Sequence, residues 1–273
     1  MKICMSCPRE CNINRKEEAG MCRAMWEPVV ASIMVHHWEE RPISGYNGSG
    51  TIFFAGCNLH CVFCQNHDIS QSANGVTMTI RALADNFLKL EKKGVHNINL
   101  VSPSHFVPQI IKAIKYAKDD GIGIPFLYNS GGYDSLSMLH QLDGLIDIYM
   151  PDFKYASDNL GQRYSNVPDY YQVASAAIKE MYKQVGAPVI QSGVMQKGLL
   201  IRHLVLPGLS DDSIEIMNRI KANTPLAGIS LLAQYNPQYM AKKHDEINRR
   251  PTNSEYQSIL SHIQSIGLDA NVV

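Results

Sequence analysis

The chain has 273 residues, with 25 lysines and arginines balanced by 25 aspartates and glutamates. That balance excludes an overall field drawing it to nucleic acid or an anionic membrane. No run of about 18 apolar residues is available to span a bilayer, and the start has no apolar signal core, so a cytoplasmic protein built on one large α/β domain is expected.

Residues 1–44 read as a Cys-rich leader in which Cys4, Cys7, Cys11 and Cys22 are spaced C-x2-C-x3-C-x10-C, with Gly20 just before the last. So short a segment cannot build its own apolar core, and a metal is expected to organise it. Four thiolates suit either tetrahedral zinc or a second iron-sulfur cube, and both readings stay open. His36 and His37 lie in an extended apolar segment and read as structural.

Residues 45–273 alternate short apolar runs with helix-period segments, the signature of βα units on a parallel sheet. Strands are predicted at 51–55, 97–102, 125–128, 145–150, 200–206 and 229–233. Helices are predicted at 79–93, 107–119, 135–142, 170–185, 211–222 and 254–266. In the first of these, Ile80, Leu83, Phe87 and Leu90 recur at helical spacing behind Thr79, and Gly94 ends the run. The order is (β/α)6. The stretch 236–253, with Lys242, Lys243, Arg249 and Arg250, reads as a solvated loop.

Reactive groups of parallel α/β barrels gather where strands end, and here each predicted strand end carries a polar or flexible cluster. Cys57, Cys61 and Cys64 follow the first, Ser102-Pro103-Ser104-His105 the second, and Asn129-Ser130-Gly131-Gly132 the third. Asp152-Phe153-Lys154 follows the fourth, Arg202-His203 lies on the fifth, and Gln234-Tyr235-Asn236 follows the sixth.

The spacing C-x3-C-x2-C places three thiolates together, one fewer than an iron-sulfur cube normally takes, which leaves one iron open to a reactant. Zinc completed by His60 or His67 is the competing reading. With Phe63 in place, the stretch resembles the C-x3-C-x-aromatic-C signature of the radical S-adenosylmethionine (SAM) superfamily. The resemblance implies a partial, open (β/α)6 barrel, a 4Fe-4S cluster on Cys57, Cys61 and Cys64, and S-adenosylmethionine as cofactor. It also implies an electron donor such as flavodoxin or ferredoxin.

Asp152-x-Lys154 and the string 201–212 are similar to activating enzymes of glycyl-radical enzymes, the pyruvate formate-lyase activase group. By that resemblance Phe63, Ser102, Ser104, Asp152, Lys154, Arg202, Gln234 and Asn236 bind the cofactor, and a protein partner supplies the substrate glycine. Two departures stand out. Ser102-Pro103-Ser104 replaces a Gly-Gly-Glu element, and Asn236 stands where the activases carry histidine. Radical modification of a small molecule or peptide is the second enzyme reading, and a non-catalytic iron-sulfur electron-transfer or sensing protein the rival of another class.

Overall fold

A computed structural model describes residues 3–268. The elements in chain order are β1 (Val29–His36), α1 (Arg41–Ser44), β2 (Ser49–Phe54), α2 (His67–Ser70), β3 (Val76–Thr77) and α3 (Ile80–Glu91). There follow β4 (Ile98–Val101), α4 (Val107–Asp119), β5 (Phe126–Ser130), α5 (Leu136–Leu142), β6 (Ile148–Pro151) and α6 (Asp158–Ser165). The remainder are α7 (Tyr170–Val185), β7 (Val189–Gln191), β8 (Val194–Leu204), α8 (Ser210–Asn223), β9 (Gly228–Leu232) and α9 (Asn253–Ser265).

The strands β2, β4, β5, β6, β8 and β9 pair in parallel in that order, which is the expected partial (β/α)6 barrel. It stays open. β9 pairs with β8, while β1 lies antiparallel on the other side of β2 and carries β3. α1, between β1 and β2, seats Ile43 among Leu127, Ile148, Met150, Met195 and Leu200, a fully buried set separate from the main core.

Helices cover the outside of the sheet. Thr79 caps α3 by accepting from the Ala82 amide at 3.1 Å, and Leu83, Ala84, Phe87 and Leu90 form its buried stripe. α9 starts at a reciprocal capping box between Thr252 and Glu255. Two differences from the sequence expectation are informative. The fifth predicted strand begins earlier, at Val194, because its first half forms an antiparallel hairpin with β7. The segment 236–253 is not simply solvated: it makes two short 3-10 turns that bury Ala241 and Ile247.

Candidate active site

The loop after β2 carries Cys57, Cys61 and Cys64, and its sulfurs already have partners. The Leu59 amide donates to Cys57 Sγ at 3.4 Å, Ser165 Oγ lies 3.0 Å from Cys61 Sγ, and Ser70 Oγ lies 3.2 Å from Cys64 Sγ. Burial pushes the Cys57 and Cys61 thiols up from their ordinary range, and Cys57 also feels the charges of the other two. Among the described residues, no group of three or more His, Cys, Asp or Glu side chains stands close enough to chelate a single ion.

Neither nearby histidine is spare. His60 is held between Gln71 Oε1 (2.7 Å) and the Met21 carbonyl (3.0 Å), and His67 meets the Cys64 carbonyl, stacks on Tyr239 and pairs with Asp68. A three-thiol set with no histidine to complete it suits a cube with one open iron better than a four-coordinate zinc.

Cys61 and Cys64 open onto a cavity of about 360 Å³ at the C-terminal side of the sheet. Phe53, Val101, Leu204 and Leu232 give it apolar walls, and Asp152, Lys154 and Arg202 one charged side. Phe63 lines it too, set edge-on to Tyr235 at 5.7 Å. Asp152 takes Lys154 Nζ on one oxygen at 2.6 Å and Arg202 Nε on the other at 2.9 Å. Burial alone would raise the Asp152 carboxyl, but these two cations hold it below the usual carboxylate range. Asp152 in turn raises Lys154 and Arg202 against the effect of burial, so all three stay charged. Behind them His203 spans the Phe153 carbonyl (2.7 Å) and Ser213 Oγ (2.9 Å), and burial lowers its pKa to about 4.

The expected cofactor-binding residues divide. Phe63, Asp152, Lys154, Arg202 and Gln234 line the cavity, whereas Ser102, Ser104 and Asn236 do not. Ser102 sits at the β4 end with φ +57°, a left-handed backbone, and Ser104 is buried beside the Asp134 carboxyl. Asn236 Oδ1 instead accepts from Arg250 Nε at 3.1 Å. The other arginine of that loop, Arg249, is paired with Glu255 at 2.7 Å.

Sequence reasoning missed Glu39. It follows β1, lines the cavity, accepts from Asn99 Nδ2 at 3.1 Å and lies 3.6 Å from Arg202 Nη1. Its neighbour Glu40 accepts from Ser230 Oγ on β9 at 3.0 Å, so the turn after β1 bridges the open side of the barrel. Burial raises the Glu39 carboxyl, and Arg202 pulls it back. The cavity therefore holds a carboxylate that Ser102-Pro103-Ser104 does not provide.

The leader packs on the cysteine loop. Arg9 Nε donates to the Asn58 carbonyl at 2.9 Å, and Arg15, fully buried, donates to the carbonyls of Ala24, Met25 and His105. Cys7 lies in electrostatic range of Cys4, Cys11 and Cys22, and burial pushes its thiol up to about 12.

Comparison with known proteins identifies the family and agrees with the fold. The family model for the radical SAM superfamily matches residues 51–220. An uncharacterised protein of Methanocaldococcus jannaschii is 33% identical over 277 residues, covering 98% of this chain and 76% of its own. Among solved structures, Streptococcus suis SuiB bound to precursor peptide SuiA aligns over 79% of this chain and 45% of its own, at 12% identity and TM-score 0.55. The FeFe-hydrogenase maturase HydG of Carboxydothermus hydrogenoformans aligns over 77% of this chain and 49% of its own, at 11% identity and TM-score 0.53. The chain thus spans about half the length of these structural neighbours, and at such identities they speak for the fold alone.

Proposed function

Because the chain belongs to the radical SAM superfamily, we propose that it is a radical S-adenosylmethionine enzyme in which Cys57, Cys61 and Cys64 hold a 4Fe-4S cluster beside the cofactor cavity. One observation carries this reading: the cysteine loop and the Lys154–Asp152–Arg202 charge line open on the same cavity. Held by Cys57, Cys61 and Cys64 next to bound S-adenosylmethionine, the cluster would supply one-electron reductive cleavage of the sulfonium C–S bond and, through it, hydrogen-atom abstraction from the substrate.

The chain's own residues do the rest. Lys154 and Arg202 offer cations to the methionine carboxylate, and Asp152 offers acceptors to the ribose hydroxyls. Their pairing fixes these groups before the cofactor arrives, which reduces the ordering that binding requires. Phe53, Val101, Leu204 and Leu232 keep water from the reactive centre. A low-potential donor such as flavodoxin or ferredoxin delivers the electron.

For the substrate, the reading is a glycine in a glycyl-radical-type protein partner. At about 360 Å³ the cavity is near the lower end of ligand pockets, so the cofactor fills much of it and a second reactant has to reach in as a narrow segment. Trp38, 88% exposed at the rim, offers such a segment an aromatic contact. Incubating the reconstituted, reduced enzyme with a partner deuterated at the glycine α-carbon tests this. Deuterium should appear in 5′-deoxyadenosine; transfer from free small molecules but from no protein glycine would refute the partner assignment.

A further inference from the structure

We infer that Cys4, Cys7, Cys11 and Cys22 form a second, tetrathiolate centre for a thiophilic metal, and that this centre braces the loop carrying Cys57, Cys61 and Cys64. The inference stands apart from the reaction proposed above.

The four thiols do not stand within chelating distance of one ion, but the backbone that carries them is held in turns. The Cys4 amide donates to the Ile13 carbonyl at 2.8 Å, the Glu10 amide to the Cys7 carbonyl at 3.1 Å and the Arg23 amide to the Gly20 carbonyl at 2.8 Å, which fixes the stretches carrying Cys4, Cys7 and Cys22. Glu10 and Asn12, on either side of Cys11, and Arg23, after Cys22, have φ of +41°, +54° and +61°. Left-handed backbone at three non-glycine residues is costly and persists where something over-determines it, as at ligand clamps.

Residues 3–28 contain no helix or strand, yet they hold Cys7, Cys22 and Arg15 buried. A Cβ added to Gly20 would lie 3.4 Å from Cys11 Sγ and 3.7 Å from Cys22 Sγ, so these two thiols flank one glycine. One guanidinium nitrogen of Arg9, Nη2, is buried without an acceptor, an arrangement that favours an anionic group such as a metal-thiolate complex nearby. On binding, each thiol would release its proton to solvent and form one metal–sulfur bond, drawing the four sulfurs inward. No redox change is involved.

The link to the catalytic loop is direct. Gly56, immediately before Cys57, has φ +81° and lies so close to the Cys22 carbonyl that any Cβ there would overlap it. Arg9 holds the Asn58 carbonyl and Met21 holds His60, so three successive stretches of the loop rest on the leader.

Metal and sulfide analysis of the Cys57→Ala/Cys61→Ala/Cys64→Ala variant tests the inference, since catalytic iron is then absent. The variant should retain one zinc, or about four irons with sulfide; the first outcome makes the centre structural, the second an iron-sulfur one, and either supports it. Should that variant fail to fold, Cys4→Ser/Cys7→Ser in the otherwise intact chain should lose the same metal relative to wild type, and amides 56–60 should exchange faster. A metal-free triple variant that folds, or Cys4→Ser/Cys7→Ser with wild-type metal content and wild-type exchange at 56–60, would overturn it.

Discussion

Arg202 and Asp152 are joined twice, by the side chains, with Nε donating to Oδ1 at 2.9 Å, and by an isolated parallel bridge between their backbones. The Phe153 amide adds a bond to the Arg202 carbonyl at 2.8 Å. The carboxylate is therefore fixed at the junction of β6 and β8, with Lys154 on its free side at 2.6 Å.

From this arrangement, Asp152→Ala, Lys154→Ala and Arg202→Ala should each weaken S-adenosylmethionine binding while leaving the iron content unchanged. Each loses a charge-assisted hydrogen bond of roughly 1.5–3 kcal/mol, or about tenfold or more in affinity. Asp152→Ala should also have the lowest melting temperature, because it leaves mostly buried Lys154 without its carboxylate and Arg202 with only the longer pair to Glu39, a loss of about 3–5 kcal/mol when a buried pair is broken. Calorimetric titration and thermal melts check both orders; wild-type affinity in all three variants contradicts the pocket assignment.

His203 gives the fold a pH dependence. Its pKa is lowered from 6.5 to about 4 by burial, so between those values the unfolded chain binds more protons than the folded one. Stability is then present above pH 6.5 and lost as the pH falls toward 4, by roughly 3 kcal/mol from this residue. Chemical denaturation at a series of pH values should show that slope in the wild type and a shallower one in His203→Gln. An equal slope in both would mean that His203 is not the group responsible.

Two glycines separate backbone strain from contact. Gly121 has φ +93° with open space where a Cβ would stand, so Gly121→Ala should carry only the left-handed penalty of about 1–2 kcal/mol. Gly56→Ala adds overlap with the Cys22 carbonyl and should be clearly more destabilising, with the leader released first in limited proteolysis. Equal melting temperatures would show that the leader does not bear on the cysteine loop.

The six parallel strands were legible because each is a short apolar run bounded by turn or polar residues, the three cysteines because their spacing is a local pattern, and Asp152, Lys154 and Arg202 through the resemblance of Asp152-x-Lys154 and the string 201–212 to the activase group. β1 was visible only as an extended apolar segment: its role depends on pairing with β2, to which no local signal points. α6 escaped notice because its polar sequence buries chiefly Gly161, Tyr164 and Ser165, and with it went the Ser165 contact to Cys61. Glu39 was hidden for the same reason as β1. Its partners Asn99 and Arg202 lie 60 and 163 positions away in sequence, and only the turn after β1 brings them together.

Reductive cleavage of S-adenosylmethionine is the step on which the functional reading rests. Protein reconstituted anaerobically with iron and sulfide, reduced, and supplied with S-adenosylmethionine should release 5′-deoxyadenosine and methionine in equal amounts, and the Cys57→Ala/Cys61→Ala/Cys64→Ala variant should release neither. A wild-type protein that carries a full, reduced cluster, binds the cofactor and yields no 5′-deoxyadenosine with or without candidate partners would contradict it.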